Sequence, residues 1–118
     1  MKALVLIVLF FSTSLFAQKD TSKKEFIKEG DLTKYIEYYE NGKVAQTGFL
    51  KGDKLHGLWI GYDQTGKKLS MGTYDEGKKN SKWIFWSGDK LIEVEYKKNL
   101  IVKTVEWDSS QVVAANLN

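Results

Sequence analysis

A chain of 118 residues is long enough for one domain with a single core. It has no Cys and one His, which excludes disulfides, iron–sulfur clusters, thiolate zinc sites and a cysteine nucleophile. The net charge is +3, and all 18 basic side chains are Lys, so the bidentate fork with which Arg reads phosphate and guanine is missing. Because Lys and acidic residues also alternate along the chain, we expect no nucleic acid among the partners.

The segment 1–17 has the pattern of a secretory signal peptide. Lys2 supplies a positive charge, residues 3–11 are an uninterrupted apolar run, and Ala17 precedes a polar sequence. The apolar stretch is shorter than the roughly 20 residues that span a bilayer. We therefore predict a signal-peptide helix that is cleaved after Ala17, with a cut after Ser14 as the alternative, and a secreted or periplasmic location.

The remaining chain divides into a polar lead-in (18–33), a repeat region (34–107) and a C-terminal tail (108–118). Four segments of the repeat region match at offsets of 24, 24 and 21 residues: 34–38, 58–62, 82–86 and 103–107. A second set interleaves with the first: 43–50, 67–74 and 89–96.

These segments are rich in Tyr, Trp, Ile and Val, and they are bounded by pairs such as Asn41-Gly42, which is typical of β-hairpins. The sequence predicts an all-β fold, an antiparallel meander of about seven strands in an elongated single-layer sheet. The tail is either a polar extension or an extra edge strand.

Alternation along the first type of strand assigns its side chains to two faces. One face is apolar in all four copies and is interpreted as a structural ladder: Ile36/Tyr38, Ile60/Tyr62, Ile84/Trp86 and Val105/Trp107. The opposite face carries the candidate partner-binding residues: Tyr35, Trp59, Trp83 and Phe85. Aromatic rings on a sheet can stack on sugars, bases or peptides. The alternative is that Phe26, Ile27, Leu117 or the curvature of the sheet covers these rings.

The repeat unit resembles the bacterial variant of the MORN repeat. The resemblance rests on Tyr39-Glu40-Asn41-Gly42-Lys43, on 48–54 and on 56–60, which recur as 65–67, 72–74, 76–78 and 82–84. The third unit keeps Gly88, Leu91 and Tyr96 but has Asn99 in place of the second glycine. The resemblance covers about 34–107 and implies successive hairpins with a scaffold or interaction role. Some relatives are described as antitoxin-like, and MORN repeats have been linked to membrane attachment.

Few residues carry the chemistry of a catalytic site. His56 has no partner at metal-ligand spacing and is interpreted as stabilising a turn. Glu93 and Glu95 share one face of a strand, and Glu106 is expected opposite them. Paired carboxylates can hydrolyse glycosides, but a solvated face beside Lys97 is the favoured interpretation.

We therefore predict a protein that is not an enzyme, needs no cofactor or metal, and binds a protein or an envelope component as a scaffold. The alternatives are a purely structural envelope module, an antitoxin-like inhibitor of a partner protein, and, least favoured, a carbohydrate hydrolase. Association with a membrane surface stays open, although no cluster of Lys supports it.

Overall fold

The computed structural model describes residues 22–108. They form one sheet of eight antiparallel strands, each paired with the next in chain order. The strands are β1 (Lys23–Glu29), β2 (Leu32–Tyr38), β3 (Val44–Lys51), β4 (Lys54–Tyr62), β5 (Lys68–Asp75), β6 (Lys78–Ser87), β7 (Lys90–Lys97) and β8 (Leu100–Trp107). The predicted all-β meander is confirmed. The predicted signal peptide and the tail beyond Asp108 lie outside the described residues.

The sheet has one strand more than expected because it begins inside the segment predicted as a polar lead-in. All seven residues of β1 pair with β2. The ring of Phe26 meets the ring of Tyr35 edge-on, with 5.2 Å between centroids. The charges that made this segment resemble a linker belong to an edge strand, where charged side chains discourage unwanted pairing.

Short connections hold consecutive strands together. Two five-residue loops, 39–43 and 63–67, join β2 to β3 and β4 to β5, and the other connections have two residues. Gly52 has a φ of 63° in the first position of its turn, as a type II′ hairpin requires. Lys98 and Asn99 both have positive φ (50° and 69°), the backbone of a type I′ turn.

The register of the strands confirms the predicted assignment of side chains to two faces. One row of directly paired residues crosses β2 to β8: Ile36, Thr47, Ile60, Met71, Ile84, Glu93 and Val105. A second row on the same side, nearer the five-residue loops, contains Tyr38, Val44, Tyr62, Trp86, Leu91 and Trp107. We call this side the ladder face, and the opposite side, which carries Tyr35, Trp59, Trp83 and Phe85, the aromatic face.

The core of the described sheet lies on the aromatic face. Its buried hydrophobic side chains are Trp59, Trp83 and Val94. Most apolar residues of the ladder face are half-buried. The sheet is therefore packed most tightly on the side that the sequence singled out for binding.

Candidate interaction surfaces

The indole of Trp59 lies flat against the backbone of a glycine, Gly48. The register of β3 and β4 shifts between Thr47 and Phe49, so that Gly48 stands opposite three residues of β4, the last of which is Trp59. A Cβ atom on Gly48 would overlap the indole. Trp59 Nε1 donates a hydrogen bond to the carbonyl oxygen of Phe49 at 2.9 Å. The bulge, the glycine and the tryptophan thus form one packing unit.

The next hairpin repeats this packing unit. The register of β5 and β6 shifts between Met71 and Thr73, and the indole of Trp83 occupies the space above Gly72. Trp83 Nε1 donates to the carbonyl oxygen of Thr73 at 3.0 Å. In the last hairpin the corresponding positions are Val94 and Thr104, which pair directly. Valine there takes the place of the glycine, and threonine takes the place of the tryptophan.

All four predicted aromatic residues belong to one row of rings. Tyr35 stacks on Trp59 at 5.6 Å, and Trp83 stacks with Phe85 at 6.0 Å. Tyr74 joins the two pairs with edge contacts at 6.1 Å to Trp59 and 4.9 Å to Trp83. Burial raises the pKa of Tyr74, with the nearby Tyr96 as a smaller cause. The repeats therefore assemble a continuous aromatic core rather than separate rings.

This packing limits what the aromatic face can offer a ligand. Trp59 is 6% exposed and Trp83 is 3% exposed, while Tyr35 and Phe85 are half-buried. The Lys79 ammonium lies over Trp83 and Phe85, 5.4 and 5.7 Å from the ring centroids. Neighbouring rings and Lys79 cover the tryptophans, so a ligand would meet the half-buried rings at the ends of the row.

The ladder face presents a broader apolar surface. A groove of about 560 Å³ lies between this face and the two five-residue loops, and its floor includes Ile36, Tyr38, Val44 and Tyr62. Towards β8 the same face carries bulky side chains instead: Trp86, Leu91 and Trp107. The ladder face thus has one groove at the β2–β4 end and a second, of about 510 Å³, lined by Leu69 and Trp86.

The two edges of the sheet differ in composition. Five of the seven residues of β1 are charged, whereas β8 begins with Leu100, Ile101 and Val102, which are 72%, 63% and 62% exposed. These three residues are not among the candidates predicted from the sequence. The signal that could have identified them is the absence of charge over the first three positions of the last strand.

The polar candidates are engaged with nearby groups. His56 lies in β4 rather than in a turn, and its Nδ1 accepts a hydrogen bond from the backbone N–H of Glu76 at 3.2 Å. Glu93 pairs with Lys82 at 3.5 Å on the ladder face.

Glu106 lies on the opposite face from Glu93 and Glu95, and it pairs with Lys90 at 2.8 Å. The hydrogen bond to Glu106 raises the pKa of Lys90. The three carboxylates therefore do not converge on one site.

Residues 22–108 contain no group of three His, Cys, Asp or Glu side chains placed to hold a metal ion. No helix in this range is long and apolar enough to cross a membrane. Comparison with known protein families, curated proteins and solved structures yields no match.

Proposed function

We propose that this chain is an exported, non-catalytic repeat protein that binds another macromolecule at the cell envelope and acts as a scaffold module. The signal-peptide pattern of 1–17 supports export. An open sheet with two free edges in its described part supports binding. The observation that carries the proposal is the contrast between the charged β1 edge and the apolar β8 edge.

An apolar edge strand suits a partner protein that adds a strand of its own. Strand addition supplies main-chain hydrogen bonds for affinity, and the alternating side chains give specificity. Natural sheets usually guard such edges with charge, as β1 does, because unguarded edges pair with other chains. The register shift between β7 and β8 falls at Val102, and Leu100 and Ile101 remain paired with Lys97 and Tyr96. We therefore assign the partner segment as an extended, mainly apolar strand.

A lysine at the β8 edge tests this assignment. Ile101→Lys adds a charge to a well-exposed side chain, so the circular dichroism spectrum should match that of the natural chain. Ile27→Lys, at the charged β1 edge, is the matched control. Affinity capture from envelope fractions of the native host should lose the partner at least tenfold with Ile101→Lys and keep it with Ile27→Lys. Equal capture by both variants would contradict a β8 site.

Export has a separate test. Mass spectrometry of the native protein should find a chain that begins at Gln18 in the secreted or periplasmic fraction. An intact Met1 in the cytoplasm would contradict the proposal, whatever the capture experiment shows.

A further inference from the structure

The ladder face carries two mainly apolar rows, and no second layer covers it within residues 22–108. Domains normally bury such a sheet face against another layer, because an isolated sheet has too little core. Eight strands of at least seven residues each, spaced about 4.8 Å and rising about 3.3 Å per residue, give a face of roughly 900 Å². A stable protein–protein interface needs about 800 Å² from each partner. The ladder face therefore has the area of a complete interface.

We infer that a second copy of this chain covers the ladder face, forming a two-fold sandwich of two sheets. This inference uses a different surface from the β8 edge and is independent of the proposed function. A two-fold axis in the plane of the interface and parallel to the strands places β2 over β7 of the second copy and β4 over β5. Sheets that pack in this way cross at about 30°.

Side-chain size favours this axis. It brings the groove at the β2–β4 end of one copy over the large side chains Trp86, Leu91 and Trp107 of the other. Tyr38 then faces Leu91 of the second copy, and Val44 faces Trp86. Near the centre Ile60 faces Met71. Each contact occurs twice, as an isologous interface requires.

Charge favours the same axis. Lys34 on β2 and Glu95 on β7 lie in the same row of the ladder face. Lys34 is two residues from Ile36 and Glu95 is two residues from Glu93, in both cases on the side away from the five-residue loops. In the sandwich, Lys34 therefore approaches Glu95 of the second copy. Glu93 approaches the apolar Ile36, but its charge stays paired with Lys82 of its own chain, 3.5 Å away.

The other in-plane axis, perpendicular to the strands, is less favourable. With the axis through the central row, it would place each strand over its own copy, so that Glu93 would meet Glu93. Two carboxylates facing each other without an added cation repel. The arrangement with the axis parallel to the strands avoids this conflict.

Oligomeric state provides the first test. Sedimentation of the purified natural chain should show a dimer at about 10 μM, within the range that interfaces of this size reach. Leu58 is 48% exposed on the ladder face, so Leu58→Lys should keep the circular dichroism spectrum and raise the dimer dissociation constant at least tenfold. Ile101→Lys is the control and should remain dimeric.

A natural chain that stays monomeric at about 1 mM would overturn the inference, and a segment of the same chain or another protein would then cover the face. Unchanged dimerisation of Leu58→Lys would also overturn it. Capture of a partner at the β8 edge does not depend on either result, so the two proposals fail separately.

A charge exchange tests the axis itself. Lys34→Glu should weaken the dimer at least tenfold, and Lys34→Glu combined with Glu95→Lys should restore it. The pairing of Lys34 with Glu95 of the second copy is specific to the axis parallel to the strands. A folded double variant that remains as weak as Lys34→Glu would overturn the arrangement.

Discussion

The packing of this sheet depends on matched side-chain volumes: a small residue on one strand is paired with a large residue on the adjacent strand, and a larger residue with a smaller one. Where β3 or β5 has a glycine, the next strand contributes a tryptophan that fills the space, and where β7 has Val94, β8 contributes Thr104. A single-layer sheet can bury little apolar surface, so these two indoles supply much of its core. A substitution of either residue of such a pair should therefore lower the stability of the fold strongly.

Gly72→Ala should destabilise the fold by about 3 kcal/mol, because the added methyl overlaps the indole of Trp83 and must displace it. Gly61→Ala is the matched control, since its Cβ would meet only the rotatable hydroxyl of Ser70, at 2.8 Å. Urea unfolding monitored by tryptophan fluorescence measures both. Equal costs at the two positions would show that the indole does not limit the space above Gly72.

The last hairpin, with Val94 and Thr104, suggests a second substitution that would offset the cost of replacing Gly72. Gly72→Val should cost much less when Trp83 is already Thr than in the natural chain, because the pair then matches Val94 and Thr104. A double-mutant cycle isolates this coupling from the loss of the indole itself. If the free-energy costs of the two single substitutions simply add in the double variant, the two side chains do not compensate for each other in volume.

Asp63 should contribute to the acid sensitivity of the fold. Its Oδ1 accepts hydrogen bonds from the Thr65 hydroxyl at 2.6 Å and from the backbone N–H groups of Thr65 and Lys67. These bonds, led by the Thr65 hydroxyl, hold the pKa of Asp63 below its usual value. The stabilisation is fully present above about pH 3.9 and is lost as the pH falls through the lower pKa of the folded state.

Asp63→Asn keeps an acceptor but cannot titrate. As the pH falls below about 3.9, its free energy of unfolding should therefore fall less steeply than that of the natural chain. Urea titrations at a series of pH values measure the two slopes. Parallel slopes would mean that the loop does not favour the charged form.

At the scale of the elements, hairpin turns set the strand pairing. Most two-residue turns use glycine where φ is positive, but the β7–β8 turn places Lys98 there, with a φ of 50°. A left-handed conformation costs a residue such as lysine roughly 1 kcal/mol, and asparagine tolerates it better. Asn99 is already suited to its position, and its Oδ1 accepts a hydrogen bond from the backbone N–H of Lys79 at 2.7 Å.

Lys98→Asn should therefore stabilise the protein by about 0.5–1 kcal/mol. Lys97→Asn, one residue earlier in β7, is the control and should stabilise nothing, because that position is a strand. Thermal unfolding of the three chains compares them. A melting temperature for Lys98→Asn at or below that of the natural chain would contradict the strain at this turn.

The elements also show what the sequence could predict. The repeated strands followed from their 24-residue offsets, since equal spacing of alternating residues fixes both the strands and their faces. β1 could not be predicted in the same way, because its charged residues are equally typical of a linker and of an edge strand. The sequence offered cover of Trp59 and Trp83 as an alternative, but the way in which they are covered did not follow from it. Alternation assigns a side chain to a face, whereas its cover depends on the bulge that sets each indole over a glycine.

At the scale of the whole molecule, the meander makes stability a local property. Each strand pairs only with its sequence neighbours in the sheet, so the free energy of opening depends on position, as in repeat proteins. The central strands β4 to β6 have two partners each and carry both buried indoles, those of Trp59 and Trp83. The edge strand β1 has one partner, and its aromatic contact is the one between Phe26 and Tyr35.

Protection against native-state hydrogen exchange should therefore fall from the centre to the edges. Paired amides of β5 should exchange at least tenfold more slowly than paired amides of β1, a difference of about 1.4 kcal/mol in opening free energy. Trp83→Phe should lower protection in β5 and β6 more than in β1, because it removes the hydrogen bond to Thr73 from the centre alone. Equal protection of all strands, lost together in the variant, would mean that the sheet opens as one cooperative unit. The local packing of each hairpin would then not determine where the molecule yields first.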